Sequence, residues 1–148
     1  MAKKMSKVTR KATEKSLKKW QDIVAGTDVD RGWENCALCQ RFSSWHCTTK
    51  TSVSIRGYAY GELCPIAAVT GKSSCRGSPY EKWAAHHKKA HGNVTYKEGL
   101  KVRCRWCAYY AWKMVDFIQK ILDEDDKLAE DPARVKHAKS KKPNSKRK

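Results

Sequence analysis

At 148 residues the chain has room for one domain with tails and not for two separate cores. Its formal net charge of +17 is uneven: residues 1–19 carry eight Lys/Arg against Glu14 alone, residues 127–148 carry nine against Glu130 and Asp131, and the middle is close to balance. A near-neutral body with two basic ends points to a polyanionic partner, nucleic acid first, and no apolar run approaches the ~20 residues that a membrane span needs.

Residues 1–12 hold Lys3, Lys4, Lys7, Arg10 and Lys11 and no acid, so they read as a disordered basic arm. No apolar run follows the opening Met1-Ala2-Lys3-Lys4, so a secretory signal is not expected. From Thr13 the spacing of Leu17, Trp20 and Val24 predicts a helix with one apolar seam and Lys15, Lys18 and Lys19 on its back. Gly26 stands where a left-handed cap would close it. Asp28 to Gly32 reads as a turn.

The stretch from Trp33 to Tyr80 holds five of the seven cysteines and few aliphatic side chains. Between Cys39 and Cys64 it is rich in Ser and Thr. There Val53, Ile55 and Tyr58 allow a short strand, while Gly57 and Gly61 favour loop. Ser78, Pro79 and Glu81 form a helix start, and that helix runs through Trp83 and His87 to His91 and stops at Gly92. Thr95 to Glu98 is a second capping box. It predicts the longest helix, with Leu100, Cys104, Cys107, Ala111, Met114, Ile118 and Ile121 on one face, running toward Pro132. The acidic run Asp123 to Asp126 opposes the helix dipole if the helix ends there, which favours its continuation. Lys139, Lys141, Lys142, Lys146, Arg147 and Lys148 fall in a tail with no apolar period. The expected organisation is therefore a basic arm (1–12), a mainly α, zinc-stabilised, Cys-rich domain (13–131) and a disordered basic tail (132–148).

A segment so poor in aliphatics needs something other than burial to order it, and thiolates on a metal are the usual means. Cys36-x-x-Cys39 can hold one ion from a single turn, and Cys64 and Cys75 follow in loops free to converge on it. These four are the expected tetrahedral set. Zinc is the default ion for thiolates, and an iron–sulfur cluster is the alternative, since Cys64-Pro65 has the Cys-Pro form that ends a ferredoxin cluster run. An odd cysteine count fits metal ligation in a reducing compartment better than a disulfide framework, so the chain reads as soluble and cytoplasmic. Cys104 and Cys107 read either as buried thiols of the long helix or as part of a second metal site with Cys47, His87 and His91.

The run Trp20-x-x-Ile23-x-x-Gly26, Asn35-Cys36-Ala37-Leu38-Cys39, Cys64-Pro65-Ile66, Gly71, Cys75, Pro79-Tyr80 and Trp83 resembles a pattern in small, mostly uncharacterised bacteriophage proteins. In those a second Cys-x-x-Cys leads into the Cys-Pro element; here Gly61 takes the matching position. The resemblance covers about residues 20–83. It implies phage origin, a structural metal and a place in the host bacterial cell, and it assigns no activity.

Three functions compete. The first is a non-enzymatic binding module whose basic ends, Lys3 to Lys11 and Lys139 to Lys148, grip phosphate and whose Trp45, Tyr58 and Tyr60 stack on unpaired bases. The second is an adaptor or inhibitor that occludes a host protein or a nucleic-acid-bound host complex. The third is a His-Asn-His-type nuclease built on His86, His87, His91 and Asn93. The Asp-His that opens that motif is absent, and no catalytic set is expected.

Overall fold

The structure, a computed structural model, describes residues 4–42, 64–72 and 75–129. These form α1 (Lys7–Ala25), a 3-10 turn (Gly32–Asn35), α2 (Ala37–Phe42), α3 (Pro65–Thr70), α4 (Tyr80–His91) and α5 (Arg105–Ala129). The architecture is mainly helical, as the sequence predicts. Among the described residues the sole β-type pairing is an isolated antiparallel bridge between Asp30 and Leu100. Cys47 and the aromatics Trp45, Tyr58 and Tyr60 lie outside the described residues, as do Lys3 and the basic run from Lys139 to Lys148.

α1 and α5 pack together as the main pair, with α2 on α1 and both α3 and α4 on α5. α1 starts at Lys7 and not at Thr13. Ser6 caps it by accepting from the Thr9 amide, and residues 7–12 of the expected disordered arm are instead helical. Its inner face is lined by Thr9, Ala12, Thr13 and Ser16 before Trp20 and Ile23, so small side chains let α5 lie close. The Thr13 hydroxyl donates to the Thr9 carbonyl at 2.8 Å, and the Thr9 hydroxyl accepts from Arg41 Nε at 2.6 Å, tying α2 down. Leu17 and Val24 sit half-buried at the edge of this face. Gly26 closes the helix at φ 83°, as predicted.

α5 buries Cys107, Ala111, Met114, Ile118 and Ile121, the stripe that the sequence shows. It begins ten residues later than the Thr95 box suggests. That box forms, with the Glu98 amide donating to Thr95 Oγ1 at 3.3 Å, yet it closes a single turn. Gly99 then adopts φ 91°, and a Cβ there would lie 2.5 Å from Val29 Cγ2 and 2.9 Å from Val29 Cβ. This turn sends Leu100 back to exchange two 2.8 Å backbone hydrogen bonds with Asp30. The helix is therefore 25 residues long, about 37 Å at ~1.5 Å per residue.

Asp30 is fully buried and collects donors from three elements. Oδ1 accepts from Lys19 Nζ of α1 at 2.8 Å and from the Gly32 amide at 2.9 Å, and Oδ2 accepts from the Trp83 indole of α4 at 3.1 Å. Lys19, expected on the basic back of α1, is thus an inward lysine, 7% exposed. Trp20 stands edge-on to Trp83 and Tyr80, with centroids 5.2 and 6.0 Å away. Burial, then the Asp30 charge, push the Tyr80 hydroxyl well above the usual phenol range.

The acidic run of α5 also faces inward at one position. Asp125 is buried and accepts from the Met5 amide at 2.7 Å, Arg10 at 2.8 Å and Lys4 at 3.3 Å, while Arg10 reaches Asp126 at 2.7 Å. Two of the cations expected to contact nucleic acid, Lys4 and Arg10, are therefore engaged within the fold. α5 does continue past these acids, to Ala129.

Asp30→Asn should destabilise the protein by about 3–5 kcal/mol in a denaturant titration, because it leaves the Lys19 ammonium buried without its charge partner. Asp125 gives a pH test. Burial raises its pKa, but the Met5 amide, Arg10 and Lys4 outweigh that and hold it below the usual carboxylate value. A carboxylate depressed on folding stabilises above its unfolded pKa of about 3.9, and the contribution is lost as pH falls through the lower folded value. Asp125→Asn should therefore lower stability at pH 7 and flatten the loss of stability below pH 4, as read by thermal melts across pH.

Candidate metal centre

The second half of α4 and the start of α5 bring four donors together. His86 and His91 come from α4, and Cys104 and Cys107 from the start of α5. One ligand atom from each lies within 4.8 Å of all the others. Helix geometry sets each pair. Cys104 occupies the position just before α5 and Cys107 its third residue, so both sulfurs sit over the open amides of a helix N-terminus. His86 and His91 flank one edge of α4, with rings 5.3 Å apart.

Distances between donors test the fit. His86 Nε2 lies 3.2 Å from Cys104 Sγ, and His91 Nε2 lies 3.2 Å from Cys107 Sγ and 3.6 Å from Cys104 Sγ. The two sulfurs are 3.5 Å apart. A tetrahedral ion with metal–sulfur bonds of ~2.3 Å and metal–nitrogen bonds of ~2.1 Å requires edges of about 3.4–3.8 Å. The observed edges are within a few tenths of an ångström of these, so the cluster can hold a metal and is consistent with zinc.

The electrostatics suit a cation. Burial, then the neighbouring His91 and His87, hold His86 below its ordinary pKa. Burial, His87 and Arg103 do the same for His91, so both imidazoles favour the neutral, ligating form. The Cys107 amide, donating to the Cys104 sulfur, holds the Cys104 thiol below its ordinary pKa against opposing burial. Burial raises Cys107. A divalent ion between the two sulfurs would favour ionisation of both.

His87, expected as a ligand, stands behind the cluster. Its Nδ1 is 3.0 Å from the Trp83 carbonyl and its Nε2 is 2.8 Å from the Lys101 carbonyl, with Cys107 Sγ at 3.6 Å. Its neighbour His86 takes the ligand position. The signal that finds this set is in the sequence. His86-x4-His91-x12-Cys104-x2-Cys107 is the Cys2His2 finger spacing read in reverse.

Cys36, Cys39, Cys64 and Cys75, the expected tetrahedral set, take no part in this cluster. Cys36 closes the 3-10 turn, and its sulfur accepts from the Cys39 amide of α2 at 3.3 Å. Cys64 caps α3 and is buried, and Cys75 sits in a turn with φ 60°. Cys36, Cys64 and Cys75 all adjoin the hydrophobic core. A hydrogen bond from Cys39, helped by the Lys19 charge and the Cys39 and Leu38 amides, outweighs burial and brings the Cys36 thiol down to about 6.

Of the candidate phosphate contacts, Lys7 and Lys11 are exposed on α1 and continue into Lys15 and Lys18, one stripe along the helix. Among the described residues no helix is long and apolar enough to cross a membrane. No family model, curated protein or solved structure matches this chain.

Cys107→Ser and His91→Ala should each lower the divalent metal content, measured by plasma emission, by about one ion per chain relative to wild type. A chelator should depress the melting temperature of wild type more than that of either variant. Unchanged metal content in both variants would show that this cluster does not hold the ion.

Proposed function

We propose that the chain is a non-enzymatic, zinc-stabilised basic protein that binds nucleic acid and acts on host machinery during phage infection. Two imidazoles and two thiolates form a closed four-ligand set. That donor chemistry favours zinc over an iron–sulfur cluster and leaves no open position for substrate. The set of Cys36, Cys39, Cys64 and Cys75 is proposed as a further thiolate site.

The reading rests chiefly on how the fold distributes charge. Several of its acids are drawn into ion pairs: Asp30 with Lys19, Asp125 and Asp126 with Arg10, Asp22 with Lys18 and Asp116 with Lys120. Lys7, Lys11 and Lys15 on α1, Lys82, Lys88 and Lys89 on α4, and Lys97, Lys101, Arg103 and Arg105 before and at the start of α5 all face solvent. An uncancelled cationic surface on a chain of +17 suits a polyphosphate. The resemblance of residues 20–83 to phage proteins supports the infected bacterial cytoplasm as the setting. The nuclease reading loses its base, since His86 and His91 belong to the cluster and His87 lies against backbone carbonyls.

Titration of labelled DNA and RNA from 50 to 300 mM salt tests this. Affinity should fall steeply, with a slope of about −0.7 to −0.9 per phosphate contact on logarithmic axes. Lys7→Glu combined with Lys11→Glu should weaken binding to all sequences alike and reduce that slope. Failure of the full-length protein to bind either polymer at low salt would leave the host-protein adaptor as the reading.

A further inference from the structure

α5 carries a second face that the fold does not use. Trp106, Tyr109 and Trp112 are 50%, 46% and 50% exposed, on the side of the helix opposite the buried Cys107, Ala111 and Met114. Single exposed aromatics are ordinary; three within two turns on one face form a patch. Cations interleave with the rings. Arg105 lies 5.7 Å from the centre of Trp106, and Lys113 lies 5.9 Å from that of Tyr109 and 6.0 Å from that of Trp112. The acid next along the face, Asp116, pairs with Lys120 at 3.1 Å.

The patch is anchored to the metal centre. The His86 ring packs on Tyr110 at 5.5 Å, and Tyr110 in turn meets Tyr109 at 5.4 Å and Trp106 at 6.4 Å. Rings set along a helix whose first turn supplies two ligands offer π-faces at fixed positions, so little ordering is needed on binding.

We propose that this face seats single-stranded nucleic acid, with unpaired bases stacked on Trp106, Tyr109 and Trp112 and the phosphates taken by Arg105 and Lys113. The proposal rests on the nucleic-acid reading above and adds to it the form of the polymer and the surface that reads it. A duplex keeps its base faces stacked on one another and would have to unstack, at a few kcal/mol per step, to use these rings. A single strand presents them directly, and aromatic stacking with basic flanks is how single strands are held. The cations flank the rings at both ends, Arg105 beside Trp106 and Lys113 beside Tyr109 and Trp112, and that charge complements the phosphates of a single strand.

The experiment uses full-length, metal-loaded protein with a labelled single-stranded oligonucleotide of about 20 nucleotides and its duplex form. The wild type should bind the single strand with quenching of tryptophan fluorescence. Trp106→Ala, Tyr109→Ala and Trp112→Ala combined should lose at least ~10-fold in single-strand affinity and change duplex affinity less than about 3-fold. The triple phenylalanine variant, which keeps the rings, should retain most of the affinity. Metal content and circular dichroism should match wild type in both, since the substituted side chains face solvent. If the alanine variant binds single strands as wild type does, this face is not the site and the charge-based reading stands. If wild type binds neither polymer, both fall. If wild type self-associates through this patch and binds no single strand, a protein contact replaces the proposal.

Discussion

The buried Asp30 carboxylate is the constraint on which the arrangement depends. It joins α1 through Lys19, the 3-10 turn through Gly32 and α4 through Trp83, and its backbone pairs with Leu100 in the approach to α5. Such an ion pair need not add net stability, because desolvating both charges offsets much of their attraction. Its effect is selective. A carboxylate with three specific donors is satisfied by one packing of these segments, whereas a thin aliphatic core of this kind would tolerate several. The Asp30–Leu100 bridge also sets where the chain returns after α4, and that return carries Cys104 to the end of α4 where His86 and His91 wait.

The metal centre and the Asp30 network thus act on the same two helices from different ends. Trp83, in the first turns of α4, donates to Asp30. His86 and His91, in its later turns, face the start of α5. Between them His87 is held by the Trp83 and Lys101 carbonyls and contacts the Trp83 ring at 4.2 Å, so it transmits position from one to the other. Binding of a metal at this point would add to folding free energy, because residues 92–104 are otherwise tied down by a few contacts: the Thr95 turn, the Leu100 bridge, the Tyr80–Tyr96 hydrogen bond and the Lys101 carbonyl on His87.

Elements set by local rules were legible in the sequence. Gly26 caps α1, Pro79 and Ser78 introduce α4, and the period of Cys107, Ala111, Met114, Ile118 and Ile121 marks the buried side of α5. What sequence could not show came from contacts between distant segments. Lys19 looks like its neighbours Lys15 and Lys18, and only the position of Asp30 turns it inward. The Thr95 box carries every local sign of a helix start, yet Gly99 must turn to clear Val29. Asp125 and Arg10, 115 residues apart, order an arm that composition alone assigns to disorder. The two histidines at 86 and 87 differ in no local property; α4 places one toward the cysteines and the other toward the backbone of Lys101. The reversed finger spacing is the exception, a site signal present in the chain: the sequence offers His91, Cys104 and Cys107 as members of a possible second metal site, and the structure brings these three together with His86 in place of His87.

These long-range contacts also determine the surface. Asp30 and Asp125 are consumed inside, and Lys4, Arg10 and Lys19 are spent on them, while the lysines of α1 and α4 and the basic approach to α5 stay outside. Two carboxylates with their cations therefore lie inside, and the exterior keeps exposed acids such as Glu34, Glu81, Glu98 and Asp123 among a larger number of exposed lysines and arginines. α5 adds what charge alone lacks. Its buried side builds the core, its start brings Cys104 and Cys107 to the cluster that can hold a metal, and its outer side leaves Trp106, Tyr109 and Trp112 half-exposed. Packing among Trp106, Tyr109 and Tyr110 holds two of these rings in place while half of each ring surface stays in water, so α5 serves the core, the cluster and the outer face with three different sides of one helix.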